Sequence, residues 1–460
     1  MLRTADKPGG ALLQSNVTKM RKKQILLLKI GVVVWVCVVY ALFLHKPATT
    51  TSSQKPHDIN GQLDKLEDEL NKQSQFYNVL LNKLRTMQQQ QQQQQQSVGG
   101  ETGQQESLVG SLLYDGPVLP VLLIACNRDS AVRRSLDLLL KHRPSQERFP
   151  IIVSQDCGHR PTREVIESYG DKVTLIQHPD LTDIEVPLKE RKFKGYFLIA
   201  RHYRWALNQV FQKFEHEAVI IVEDDLDIAP DFYEYFSATY PILRADPTLW
   251  CVSAWNDNGK ADLVDVKNGT GLLYRTDFFP GLGWMLTREL WEELGPKWPR
   301  SYWDDWVRAP EQRSGRACIR PEISRTRTFG KKGVSNGLFF EKHLKQIHLN
   351  AVYTSFTKMN LTYLIKDLYD PVFDKQVQDS QVVTINDVKG DRLAKGGSYR
   401  LIYHTKDNFK KFTKYLGLMD DFKAGIPRTG YKGTITFFYR GLRIFLSPGN
   451  NWKGYNPSWS

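Results

Sequence analysis

Apolar positions along the chain fall into three textures. The first is one unbroken run. Residues 25–44 are interrupted only by Lys29, and the stretch 30–44 carries no charge. Its length approaches the roughly 20 residues that cross a bilayer, with Lys29 snorkelling to the headgroups. A cleaved signal peptide would need a small-residue cleavage site where His45-Lys46-Pro47 stands, and a buried core helix would rarely be so uniformly Val-rich. The second texture is a heptad. Leu63, Leu66, Leu70, Tyr77, Leu80, Leu84 and Met87 keep a 3,4 spacing, with Gln73 in the missing place, before a glutamine run at 88–96. Such spacing predicts a short coiled coil and hence a possible homodimer, a solvated single helix being the alternative, while the glutamines and the Gly/Ser/Glu stretch after them bury too little to fold alone.

The third texture starts at Pro117. Apolar runs at 118–125, 150–154, 173–178 and 218–222 alternate with helical spacing at 132–142, 162–169 and 201–214. Buried strands separated by helices predict an α/β domain with a mostly parallel sheet covered on both faces, whose ligands bind at the carboxyl ends of the strands. Beyond about residue 367 the pattern shifts to alternation, as at 434–439, with turn signals at Lys389-Gly390 and Pro448-Gly449. That predicts a smaller, β-rich C-terminal domain. The expected division is a tail (1–24), a signal-anchor (25–44), a stem (45–116), a catalytic domain (117–366) and the C-terminal domain (367–460).

Charge changes this picture at one end. The 460-residue chain has a formal net charge of +13, which invites a nucleic-acid partner, but Arg3, Lys7, Lys19, Arg21, Lys22 and Lys23 precede the apolar run against Asp6 alone. The positive-inside rule then leaves the N-terminus cytosolic and nearly everything after Leu44 lumenal. No zinc-finger, RNA-recognition or helix-turn-helix signature supports nucleic acid. Outside the apolar run stand Cys126, Cys157, Cys251 and Cys318, an even number in a disulfide-permissive compartment. Their spacing suits two bridges better than a zinc knuckle, and leaves three pairings open. The sequons at Asn268 and Asn360 permit glycosylation.

Candidate chemistry stands at the strand ends. The first strand runs into Cys126-Asn127-Arg128, the second into Gln155-Asp156-Cys157, and the Ile-Ile-Val strand into Glu223-Asp224-Asp225. Three carboxylates after a buried strand repel one another and oppose desolvation; Mg²⁺ or Mn²⁺ shared with substrate phosphates is one remedy. A helix N-terminus after Ala229-Pro230-Asp231 is another. No Walker loop and no G-x-G-x-x-G follows the first strand, against a P-loop NTPase or a dinucleotide oxidoreductase. The basic, glycine-punctuated stretch 324–337 suits a mobile lid over a diphosphate, or a plain solvated loop.

Four strings carry a closer likeness: Val222-Glu223-Asp224-Asp225-Leu226, the run Trp250-Cys251-Val252-Ser253-Ala254-Trp255-Asn256-Asp257-Asn258-Gly259, Phe278-Phe279-Pro280-Gly281-Leu282-Gly283-Trp284, and Trp303-Asp304-Asp305-Trp306. With them the region from about Leu119 to Ser460 resembles the N-acetylglucosaminyltransferase I family of metal-dependent GT-A glycosyltransferases. The resemblance implies a Golgi type II membrane enzyme that transfers N-acetylglucosamine from UDP-GlcNAc, with inversion and Mn²⁺ (Mg²⁺ as substitute), in β-1,2 linkage to the α-1,3-mannose of a five-mannose N-glycan, starting hybrid and complex glycans. It implies Asp225 as metal ligand, Asp224 at the ribose, Glu223 at the donor sugar and Asp304 as catalytic base. Arg128, Asp156, Ile199 and His202 would line the uridine and phosphates, Val334 and Ser335 would lie in the loop ordering over the donor, and Cys126 would pair with Cys157 and Cys251 with Cys318. A protein O-mannose β-1,2-N-acetylglucosaminyltransferase and a catalytically silent carbohydrate-binding member of the fold are the competing readings. Flanking Trp303 and Trp306 would be a sugar platform, a low-dielectric wall or plain core.

Overall fold

The computed structural model describes residues 116–331, 337 and 340–460. The signal-anchor, the stem with its coiled coil and glutamines, and Val334 and Ser335 lie outside them. Among the described residues no helix is long and apolar enough to cross a membrane.

In chain order the first part contains β1 (Val121–Ala125), α1 (Asp129–His142), β2 (Ile151–Gln155), α2 (Arg160–Glu167), β3 (Thr174–Gln177), α3 (Lys194–Asn208), β4 (Ala218–Glu223), β5 (Leu226–Ile228), α4 (Phe232–Ala245), β6 (Leu249–Ser253), β7 (Leu273–Thr276), β8 (Trp284–Thr287), α5 (Arg288–Leu294), α6 (Trp303–Arg308), β9 (Ala317–Pro321) and β10 (Thr326–Thr328). Eight strands form one sheet in the order β3-β2-β1-β4-β8-β6-β9-β7. β1, β2, β3 and β4 pair in parallel, and β8 and β7 run against their neighbours. The expected mostly parallel sheet is therefore present. Its strands read as solid apolar runs because both faces are covered. Val121, Leu123 and Ala125 of β1 enter one core, with Ile220 and Val222 of β4. Leu122 and Ile124 enter the other, with Val219 and Ile221. Alternate residues point to opposite faces, so two-sided burial leaves no polar position.

The C-terminal part adds α7 (Lys366–Asp379), β11 (Gln381–Val383), β12 (Ser398–Tyr403), α8 (Lys406–Leu416), a hairpin of β13 (Phe422–Lys423) and β14 (Ile426–Pro427), β15 (Ile435–Tyr439) and β16 (Leu442–Pro448). β11, β12, β16 and β15 form a second sheet over a third core that includes Phe409, Phe412 and Leu416 of α8. This region carries helices as well as strands, and it shares a core with the first sheet: Tyr369, Phe373, Val377, Tyr431 and Phe445 belong to the same hydrophobic cluster as one face of that sheet.

One buried ion pair holds the approach to the site. Arg325, at the entry to β10, donates to Asp231 at 3.0 Å with both side chains fully buried, and Asn350 Nδ2 donates to both Asp231 oxygens at 3.0 Å. Removing one charge of such a pair strands the other. Asp231→Ala is expected to lower stability by about 3–5 kcal/mol, read as a fall in the urea midpoint at unchanged slope.

Candidate active site

The carboxyl ends of β1, β2 and β4 meet at one edge of the sheet, as parallel strands require. Both disulfides are formed, and the pairing is the implied one. Cys126–Cys157 ties the ends of β1 and β2, while Cys251–Cys318 ties β6 to β9. A cavity of about 800 Å³ opens at this edge. Arg128, Asp156, Ile199, His202, Glu223, Asp224, Asp225 and Asp304 all line it. Every expected site residue that is described thus reaches a single cavity.

The acidic triplet is not the start of a helix. β5 intervenes, pairing antiparallel with β10, so the carboxylates cluster without help from a helix dipole. What compensates them is Arg128, which donates through Nη1 to Asp225 Oδ2 at 2.8 Å and through Nη2 to Asp224 Oδ1. Glu223 accepts from the Tyr203 hydroxyl at 2.8 Å. Burial, with Asp225 and Asp224 close by, pushes Glu223 up to about 7. Burial likewise pushes Asp224 up to about 6 against the pull of Arg128. On α3, burial draws His202 down to about 4 despite Asp156. This keeps the imidazole neutral, with its Nε2 2.8 Å from Ser154 Oγ.

Among the described residues no three His, Cys, Asp or Glu side chains are arranged to surround a cation. The triplet fits the other way of holding Mg²⁺ or Mn²⁺, with one carboxylate from the protein and the remaining oxygens from phosphate. Both carboxylates line the cavity, but the Asp224 side chain is 4% exposed and the Asp225 side chain 16% exposed. Carboxylates pushed toward neutrality by burial, with one another close by, are also the environment that a cation would reverse.

The basic stretch starts directly over Asp225. Phe329 N donates to Asp225 O at 2.9 Å, and a Cβ placed on Gly330 would lie 2.1 Å from Asp225 Oδ2. Only glycine lets the chain pass there. Gly330, Lys331, Gly337 and Phe340 line the cavity, which brings the described ends of the expected lid to the site.

Across the cavity, Asp304 stands in the first turn of α6 and accepts from Arg308 Nη1 at 2.7 Å through Oδ2. Arg308 is fixed in turn by Phe279 O at 3.0 Å and by Asp305 Oδ1 at 3.1 Å. Lys423 of β13 donates to Asp305 Oδ2 at 2.9 Å. Trp303 is core: it stacks on Tyr203 with centroids 4.5 Å apart, on Trp298 and on Trp284. Trp306 packs edge-on against Trp298. Neither is the open platform beside the base.

Sequence reasoning missed Tyr203, Arg308 and Lys423. Arg308 carried a signal, since it follows Asp304 by one helical turn. Lys423 carried none, being far along the chain.

The family described as GNT-I matches residues 24–459. An alpha-1,3-mannosyl-glycoprotein 2-beta-N-acetylglucosaminyltransferase of Arabidopsis thaliana is 38% identical over 332 residues, which is 72% of this chain and 74% of the relative. Among solved structures, a mannosyltransferase of Pyrobaculum calidifontis in complex with GDP-Man and Mn²⁺ is 20% identical, with a TM-score of 0.31 over 45% of this chain and 55% of its own. S. aureus TarS in complex with UDP-GlcNAc is 12% identical, with a TM-score of 0.33 over 57% and 66%.

Proposed function

As a member of the GNT-I family the chain is a glycosyltransferase, and we propose that it transfers N-acetylglucosamine from UDP-GlcNAc, with inversion, in β-1,2 linkage to the α-1,3-mannose of a five-mannose N-glycan. The observation that carries this reading is the convergence of eight expected residues on one cavity, with the triplet on one side and Asp304 on the other. We further propose that residues 25–44 anchor the enzyme in the Golgi membrane as a single-pass type II protein, with the catalytic region lumenal.

The division of labour follows from the two acidic sites. One base takes the proton of the mannose 2-hydroxyl as its oxygen bonds to the anomeric carbon, and the bond from that carbon to the diphosphate breaks on the opposite face. Asp304 is placed for the base: Oδ2 is held by Arg308, which fixes the carboxylate's direction. Asp225 would hold Mn²⁺, and the ion would supply Lewis acidity to the departing diphosphate, the help that an inverting hydrolase obtains from a second carboxylic acid. Arg128 brings a cation to the same phosphates, and neutral His202 offers a ring nitrogen without adding charge. Glu223, held by Tyr203, is positioned for a hydroxyl of the donor sugar.

The test is competition between acceptors. Purified enzyme with UDP-GlcNAc and Mn²⁺ is expected to use a five-mannose N-glycan at least about 100-fold more efficiently than an O-mannosyl peptide, a selectivity of roughly 3 kcal/mol. Equal or reversed preference would replace the N-glycan by O-mannose as acceptor. No UDP release with either would return the chain to a silent carbohydrate-binding role.

A further inference from the structure

The aromatic surface open beside the base belongs to residues that none of the matched motifs contains. Tyr302 immediately precedes α6 and holds φ 48° and ψ 46°, a left-handed conformation that a bulky side chain adopts only when its surroundings enforce it. The enforcement is visible. Its ring stacks on Tyr196 of α3, with centroids 4.9 Å apart and 27° between planes. Phe197 meets it edge-on at 6.3 Å and Phe193 at 6.5 Å. Tyr196 and Tyr302 line the cavity together with Asp304, and Phe193, beside both rings, remains 38% exposed. Burial, followed by the charge of Asp304, raises the Tyr196 hydroxyl above the ordinary tyrosine value, in keeping with a ring that faces the base.

We propose that Tyr302, Tyr196 and Phe193 form the acceptor subsite, a ledge that takes the apolar face of a neutral hexose of the acceptor glycan and turns a hydroxyl toward Asp304. This rests on the glycosyl-transfer reading above and supplies the sugar-binding surface that it lacks.

Three observations favour a neutral sugar over the donor's nucleotide. The groups assigned to the nucleotide, Arg128 and Asp156, follow β1 and β2, whereas Tyr302 lies two residues from the base. A pyranose has C–H bonds on its faces and hydroxyls around its edge, so it stacks on an aromatic ring while leaving the edge free for a carboxylate. The charges bearing on the ledge are mixed: Asp304, Asp305 and Glu190 act on the two tyrosines, and Lys192 lies over the Phe193 ring at 4.9 Å. That balance does not select an anion. The strained backbone at Tyr302 then has a use, because it fixes both the ring and the start of the helix carrying Asp304, holding platform and base in one register.

The experiment uses the full-length enzyme with UDP-GlcNAc, Mn²⁺ and a five-mannose N-glycan, and compares Tyr302→Ala, Tyr302→Phe and Phe193→Ala. Tyr302→Ala is expected to raise the acceptor KM about tenfold. Donor affinity by calorimetry should stay within about twofold. Tyr302→Phe, which keeps the ring, should restore the KM. Exposed Phe193→Ala should fold normally and raise the KM about threefold, which decides the matter if Tyr302→Ala melts early. An unchanged acceptor KM in folded variants overturns the ledge, as does an equal loss of donor affinity, which would assign the rings to the nucleotide. Wild-type enzyme that binds donor but transfers to no mannoside would overturn the parent reading, and that result is visible before any variant is made.

Discussion

Asp304→Asn is expected to lower kcat by about 10²- to 10⁴-fold, the range that a positioned general base contributes. Donor affinity should be nearly untouched. The amide keeps the shape of the carboxylate and can still accept from Arg308, so the local fold has no reason to change, but it cannot take the acceptor's proton. The measurement is steady-state transfer beside calorimetric titration with UDP-GlcNAc and Mn²⁺. Turnover retained within about tenfold would remove Asp304 from the base role.

Asp225→Ala should fail at the other half of the reaction. Of the two carboxylates paired with Arg128 it is the more exposed, so its loss would remove the proposed ligand to the cation. Donor kcat/KM is expected to fall at least about 100-fold, close to 3 kcal/mol, and raising Mn²⁺ should not restore it. The contrast between the variants is the diagnostic: one binds donor and does not transfer, the other binds donor poorly. Arg128 would keep Asp224 as a partner, so folding should survive, which a thermal melt at wild-type temperature would verify.

The order of strands and helices from β1 to β4 was legible because two-sided burial writes itself as solid apolar runs, and the strand ends could be read as a site because parallel strands deliver their termini to one edge. Boundaries fared less well. The helix expected at 201–214 begins at Lys194 and ends in a π-helical turn, Gln209–Lys213. Its first turn carries glycine and aromatics, which hide helical spacing. The expected β-rich C-terminal region also holds α8, whose Phe409, Phe412 and Leu416 face the third core but stand among lysines that mask the stripe. The triplet followed from its strand end and the two bridges from the cysteine count, while the role of Asp304 and the disulfide pairing came through the family resemblance; Tyr203 and Lys423 act through contacts that only the folded chain creates. For the tryptophans beside Asp304 the sequence left a sugar platform, a low-dielectric wall and plain core open. Packing assigns Trp303 to the core.

The link from Lys423 to Asp305 also sets a schedule for biosynthesis. A chain emerging from the ribosome can complete the eight-stranded sheet, both disulfides and α6 well before β13 exists. Until then Asp305 lacks its lysine and competes with Asp304 for Arg308. The hairpin that delivers Lys423 is itself clasped late: Gly425 N donates to Ser460 Oγ at 2.9 Å, Phe422 packs on Trp459, and a Cβ on Gly425 would lie 2.3 Å from Asn456 O. The charge balance around Arg308 is therefore completed only when the end of the chain, which clasps this hairpin, has been made.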